Sequence, residues 1–179
     1  MPNGAYHFVE SFDNDLGSSG WVLSQSKKDD VDEDISKYDG KWAIESSHDV
    51  VLEGDQGLVL KSKAKHSAIS KKLKKAFQFS NKKPLVVQYE VKFQNPMDCG
   101  GSYVKLIAQD TNFKLENFHD KTGFSLMFGP DKCGTENKYH LIVRYKNPVT
   151  GEVEEKHAKK SQLIDAFFTD GKTHLFTLG

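Results

Sequence analysis

Polar and apolar residues alternate most regularly between Pro84 and Asn95. Val87, Tyr89, Val91 and Phe93 interleave with Gln88, Glu90, Lys92 and Gln94. A period of two predicts a strand with one buried and one wet face. Six further runs predict strands: 57–64, 102–109, 123–129, 138–146, 152–159 and 173–178. Clusters of Gly, Pro, Asn and Asp punctuate them. The segment YKNPVTGEVEEK predicts a hairpin turning between Asn147 and Gly151. Only SQLIDAFF, residues 161–168, carries a helical pattern, and it is short. Many short strands between turn signals predict an all-β sandwich.

At 179 residues the chain suits one domain, taken as 1–179, with no repeat or low-complexity linker. Charged residues make up 28% and the net charge is zero, so no global field points to nucleic acid or an anionic membrane. There are 24 lysines and a single arginine, Arg144. Phosphate and base recognition favours the guanidinium fork, so a nucleic-acid partner is not expected. No apolar run is long enough to span a membrane, and the opening residues lack the apolar core of a signal peptide.

Enzyme and metal signatures fail on inspection. Asp30, Asp32 and Asp34 match the start of an EF-hand loop, but Ile35 stands where Gly is needed and Lys41 where Glu is needed. The histidines form no metal-binding spacing, and no nucleophile elbow or phosphate loop occurs. There is no Asn-x-Ser/Thr acceptor, so the chain is not itself expected to be N-glycosylated. The two cysteines, Cys99 and Cys133, each precede a glycine. They predict either one disulfide, and then an oxidising compartment, or two separate buried thiols. In GGSYVKL, Tyr103 and Lys105 stand at i and i+2, and so on one strand face.

Several segments, in order along most of the chain, resemble the calnexin/calreticulin lectin chaperones: SFDNDLGSSGWVLS, KYDGKWAIE, GDQGLVLKSKAKHSAIS, KPLVVQYEVKFQN, DCGGSYVKL, FHDKTGFSLMFGPDKCG, YKNPVTGEVEEKHAK and FFTDGKTHLFTL. The KNPVTGEVEEKHAK segment is closer to calnexin and calmegin than to calreticulin. The resemblance implies a concanavalin-like jelly-roll sandwich in the endoplasmic reticulum lumen. It implies a monomer that binds, without cleaving, the terminal glucose of monoglucosylated high-mannose N-glycans on newly made glycoproteins. It implies a disulfide between Cys99 and Cys133. It places glucose contacts at Tyr103, Lys105, Phe124, Met127 and Glu155, with Asp131 ranked below Glu155. Phe124 departs from the family's usual tyrosine. Ser11, Asp55 and Gln56 match positions that hold a structural calcium ion, Gln56 through its carbonyl.

In that family more strands and a proline-rich arm follow the segment matching THLFTL, with a further sugar-contacting carboxylate and a calcium-binding aspartate. The expectation is therefore a fragment, a split chain or an arm-deleted chain. Exposed sheet edges and loss of the thiol oxidoreductase partner would follow. Two other functions remain in play: a polypeptide-binding chaperone with a weakened sugar site, and a jelly-roll glycoside hydrolase. The hydrolase lacks its E-x-D-x-x-E strand pattern here.

Overall fold

The computed structural model describes residues 4–49, 52–110, 112–159 and 166–179. Its strands are β1 (Val22–Leu23), β2 (Trp42–Glu45), β3 (Gly57–Leu60), β4 (Ile69–Ser70), β5 (Val87–Lys92) and β6 (Cys99–Gly101). Then come β7 (Val104–Leu106), β8 (Leu126–Cys133), β9 (Glu136–Lys146), β10 (Val153–His157) and β11 (Thr173–Leu178). One four-residue helix, α1, spans Glu33–Ser36, within the segment whose Asp30, Asp32 and Asp34 fail as an EF-hand loop. Most of the predicted helix, residues 161–165, lies outside the described residues. Ala166–Phe168 forms a 3₁₀ turn.

Two compact units emerge, with interleaved segments: residues 1–77 with 109–122, and residues 78–108 with 123–179. The first is built from two small antiparallel pairs, β1–β4 and β2–β3. Backbone-poor strands this short need other anchors. Ser24 donates to the Phe118 carbonyl at 2.6 Å, and Ser70 donates to that of Leu115 at 3.0 Å. Tyr38, buried, donates to Asp120 at 2.9 Å and accepts from its amide. Glu10 ties the N-terminal segment to this unit by accepting from the Trp21 indole (3.1 Å) and the Lys71 ammonium (2.6 Å).

The second unit is a sandwich of its own. One layer is the antiparallel sheet β10–β9–β8–β6, with β7 also paired to β8; the other is β5–β11. The alternation read in the sequence is realised: Val87, Tyr89, Val91 and Phe93 pack on a core of Leu126, Phe128, Phe167, Phe168 and Phe176. The rings meet edge-on and tilted, as aromatic quadrupoles favour, for example Phe128 with Tyr139 at 5.3 Å and 88°.

β8 runs through Gly129-Pro130, which the sequence reads as its end. β9 pairs with β8 along its whole length, and a side chain remote in sequence satisfies the backbone on the other edge. Ser102 donates its amide to the Pro130 carbonyl at 2.9 Å, but Pro130 has no N–H to return to the Ser102 carbonyl. That carbonyl instead accepts from the Tyr89 hydroxyl at 2.8 Å, which also lies 3.2 Å from the Phe128 carbonyl. Burial pushes the Tyr89 phenol above its ordinary pKa, so it remains a donor. Gly129 has φ +135°, and a Cβ there would stand 1.9 Å from the Tyr89 oxygen. Gly129, Pro130 and Tyr89 thus form one device. It breaks the ladder between β6 and β7 and fixes the backbone on which Tyr103 sits.

Candidate functional site

The outer face of the five-stranded sheet is organised by register. Lys105 pairs with Met127, Met127 with Ile142, and Ile142 with His157. One step away, Gly129 pairs with His140; another step brings Gly101 beside Asp131. In the opposite direction Arg144 pairs with Glu155. Since side chains alternate along each strand, Lys105, Met127, Asp131, His140, Ile142, Arg144, Glu155 and His157 share one face. Ile142, buried, forms its floor.

Tyr103 stands at the break between β6 and β7, with 40% of its surface exposed. Its ring meets the His140 imidazole edge-on, centroids 5.6 Å apart. His140 Nε2 lies 3.0 Å from Asp131 Oδ2. Gly101 makes room for this arrangement. A Cβ there would come 2.5 Å from the Tyr103 ring and 3.0 Å from Asp131 Oδ1. At Gly101 the space a Cβ would fill is taken by Tyr103 itself.

Phe124 precedes β8. Lys105 Nζ lies 5.1 Å from its ring centre and the Arg144 guanidinium carbon 4.2 Å. The Arg144 Nε donates to Glu155 Oε2 at 2.6 Å, and His157 Nε2 lies 2.6 Å from Glu155 Oε1. The Arg144 hydrogen bond, helped by His157 and opposed by slight desolvation, holds the Glu155 carboxyl below its ordinary pKa. On the other face of β10, hydrogen bonds from Asn147, Tyr145 and Lys156 pull the Glu154 carboxyl down to about 2. That arrangement pins the hairpin, whose turn lies at Asn147–Gly151 as the sequence predicts, with Gly151 at φ +73°.

Cys99 and Cys133 are bonded and lie directly opposite each other across β6 and β8. All six sugar-contact candidates, Tyr103, Lys105, Phe124, Met127, Asp131 and Glu155, therefore belong to one sheet face or its immediate border, with the disulfide at one end. Sequence reasoning passed over His140, Arg144 and His157 as site neighbours. Arg144 carried a signal, as the one arginine in a lysine-rich chain.

The calcium candidates lie in the other unit. The Ser11 hydroxyl donates to Asp13 Oδ2 at 2.5 Å, and the Asp55 carbonyl accepts from Ser46 at 2.8 Å. Asp55 and Gln56 are exposed. Their oxygens suit a hard cation in kind, but three residues do not fill a shell of six to eight. Among the described residues no group of three or more His, Cys, Asp or Glu side chains is gathered to hold a metal.

Residues 8–179 match the profile of the calreticulin family. The chain belongs to that family. Calmegin of Bos taurus is 56% identical over 179 residues, which is 99% of this chain and 29% of calmegin. Calnexin of Caenorhabditis elegans is 49% identical over 159 residues, 88% of this chain and 26% of that calnexin. The chain thus spans less than a third of the curated relatives it matches. Among solved structures, the T. cruzi calreticulin globular domain aligns with a TM-score of 0.67 at 31% identity, covering 96% of this chain and 56% of that one. The fold class is that of this family, an all-β jelly-roll sandwich. Identity to calmegin and calnexin exceeds identity to that calreticulin domain, in line with the KNPVTGEVEEKHAK segment.

Proposed function

We propose that this chain is the glucose-binding lectin domain of a glycoprotein-folding chaperone. One observation carries the reading: a half-exposed Tyr103 and Lys105 share a sheet face with Met127 and the Glu155 carboxylate. A pyranose presents C–H groups on one face and hydroxyls around its edge. Tyr103 and Met127 suit the first. Lys105 donates to sugar oxygens and Glu155 accepts from hydroxyls. Asp131, engaged with His140, takes a lesser part.

In this reading the site binds the glycan, and Glu155 does not suit the acid role of a hydrolase. A glycoside hydrolase needs a carboxylic acid whose pKa is raised toward neutrality. The Glu155 carboxyl is shifted the other way. The disulfide suits an oxidising compartment, and with family membership this supports the endoplasmic reticulum lumen. The partners in this reading are monoglucosylated N-glycans on incompletely folded glycoproteins. Ser11, Asp55 and Gln56 contribute oxygens to a structural calcium ion, whose shell needs further ligands.

The test is retention of glycoproteins on the immobilised chain. Monoglucosylated clients are expected to be held, and the same clients after glucosidase treatment released, with the glycan recovered intact. Equal retention of both favours a polypeptide-binding chaperone, and a trimmed glycan favours a hydrolase.

Phe124→Tyr is expected to tighten glycan binding by about two- to tenfold, since a hydrogen bond to a ligand hydroxyl is worth about 0.5–1.5 kcal/mol. Competition binding against the parent chain checks this. No change, or weaker binding, contradicts the role given to position 124.

A further inference from the structure

Arg144 is the one guanidinium among 25 lysines and arginines. On β9 it stands opposite Glu155, to which its Nε donates at 2.6 Å, while its guanidinium carbon lies over the Phe124 ring, 4.2 Å from the ring centre. One side chain thus joins two residues of the glycan face. The Phe124 ring joins it to a third, Lys105, at 5.1 Å. A lysine cannot do this. Its ammonium is a point charge on a flexible stem, whereas a planar fork stacks through its face and donates through its edge at once.

We propose that Arg144 is a positioning residue of the glycan site, locking Phe124 and Glu155 into one unit and aiming the carboxylate at sugar hydroxyls. The proposal rests on the glucose-binding reading. Its physical content is preorganisation: a carboxylate already held by Arg144 gives up little rotamer freedom when the glycan arrives. Arg144 from β9 and His157 from β10 both engage Glu155, and Lys105 reaches Phe124 from β7. Glu154 and Lys156 face the other side of β10. Because Arg144 also keeps Glu155 ionised to lower pH, binding survives acidification further than an ordinary carboxylate would allow.

The experiment titrates the chain, Arg144→Lys and Arg144→Gln with a monoglucosylated oligomannose glycan across mildly acidic to neutral pH. Arg144→Lys is expected to bind about tenfold more weakly, the scale of immobilising one rotamer-rich side chain, and Arg144→Gln more weakly still. The acid limb of binding moves to higher pH in Arg144→Gln, because the group that depresses Glu155 is gone. A fold defect would lower affinity without moving that limb. If Arg144→Gln does not fold, Arg144→Lys, which keeps the charge and loses the fork, still decides. Carboxyl-carbon NMR of Glu155 without glycan reads the contact itself, and an unchanged titration in Arg144→Gln overturns the proposal. So do unaltered affinities in both variants while the parent binds. A parent that ignores the glycan removes the glucose-binding reading first, and this proposal with it.

Discussion

Replacing Phe128 by alanine is expected to lower the unfolding free energy by about 3–5 kcal/mol, the range for deleting a fully buried phenyl. Phe128 is 1% exposed and sits between the two layers of its unit. On β8 it lies between Val104 and Leu141 in the ladder, and its ring meets Tyr89 at 5.9 Å and Tyr139 at 5.3 Å. Alanine leaves a void that rigid aromatic neighbours cannot close. Tyr89 would then lose the wall that steers its hydroxyl to the Ser102 carbonyl, so Tyr103 loosens with the core. Chemical denaturation measures the loss. A change below about 1 kcal/mol would mean the core repacks, which this ring lattice argues against.

Removing the disulfide with the pair Cys99→Ser and Cys133→Ser is expected to cost about 3.5–4 kcal/mol in the chain-entropy model. The bond closes a loop 34 residues long in sequence, which contains β7, Phe124 and Met127. It also clamps the register that brings Gly101 beside Asp131. The Gly134 amide, donating to the Asp98 carbonyl at 2.8 Å, holds the same end. Denaturation with and without reductant should give matching losses, and glycan affinity should fall alongside stability. An oxidised and a reduced chain of equal stability would show the register to be set by the ladder alone.

How far the molecule can be read from its sequence depends on which interaction decides each part. β5 is legible because burial on one face imprints a period of two on the residues themselves, and the hairpin because Asn147 and Gly151 have local conformational reasons to turn. β8 is not, since Gly129 and Pro130 signal an end. What carries the strand through is a hydroxyl from Tyr89, 40 residues earlier, replacing the missing donor. The two-residue strands β1 and β4 have no room for a pattern, and side-chain anchors such as Ser24 and Ser70 hold them. At the site, the family's segments point to Tyr103, Lys105 and Met127. Their grouping depends on register, which the composition of a strand does not encode. Arg144 is visible in the sequence only as an oddity of composition. Its contacts with Phe124 and Glu155 join residues brought together by three strands.

The proposed glucose site is tested most directly by titration calorimetry with a glucosyl-α1,3-mannose glycan against the same glycan lacking the glucose, in calcium. The expected result is heat that depends on the glucose and disappears in Tyr103→Ala and in Lys105→Ala while both variants stay folded. Equal heats from the two glycans, or none from either with a folded parent chain, would contradict it.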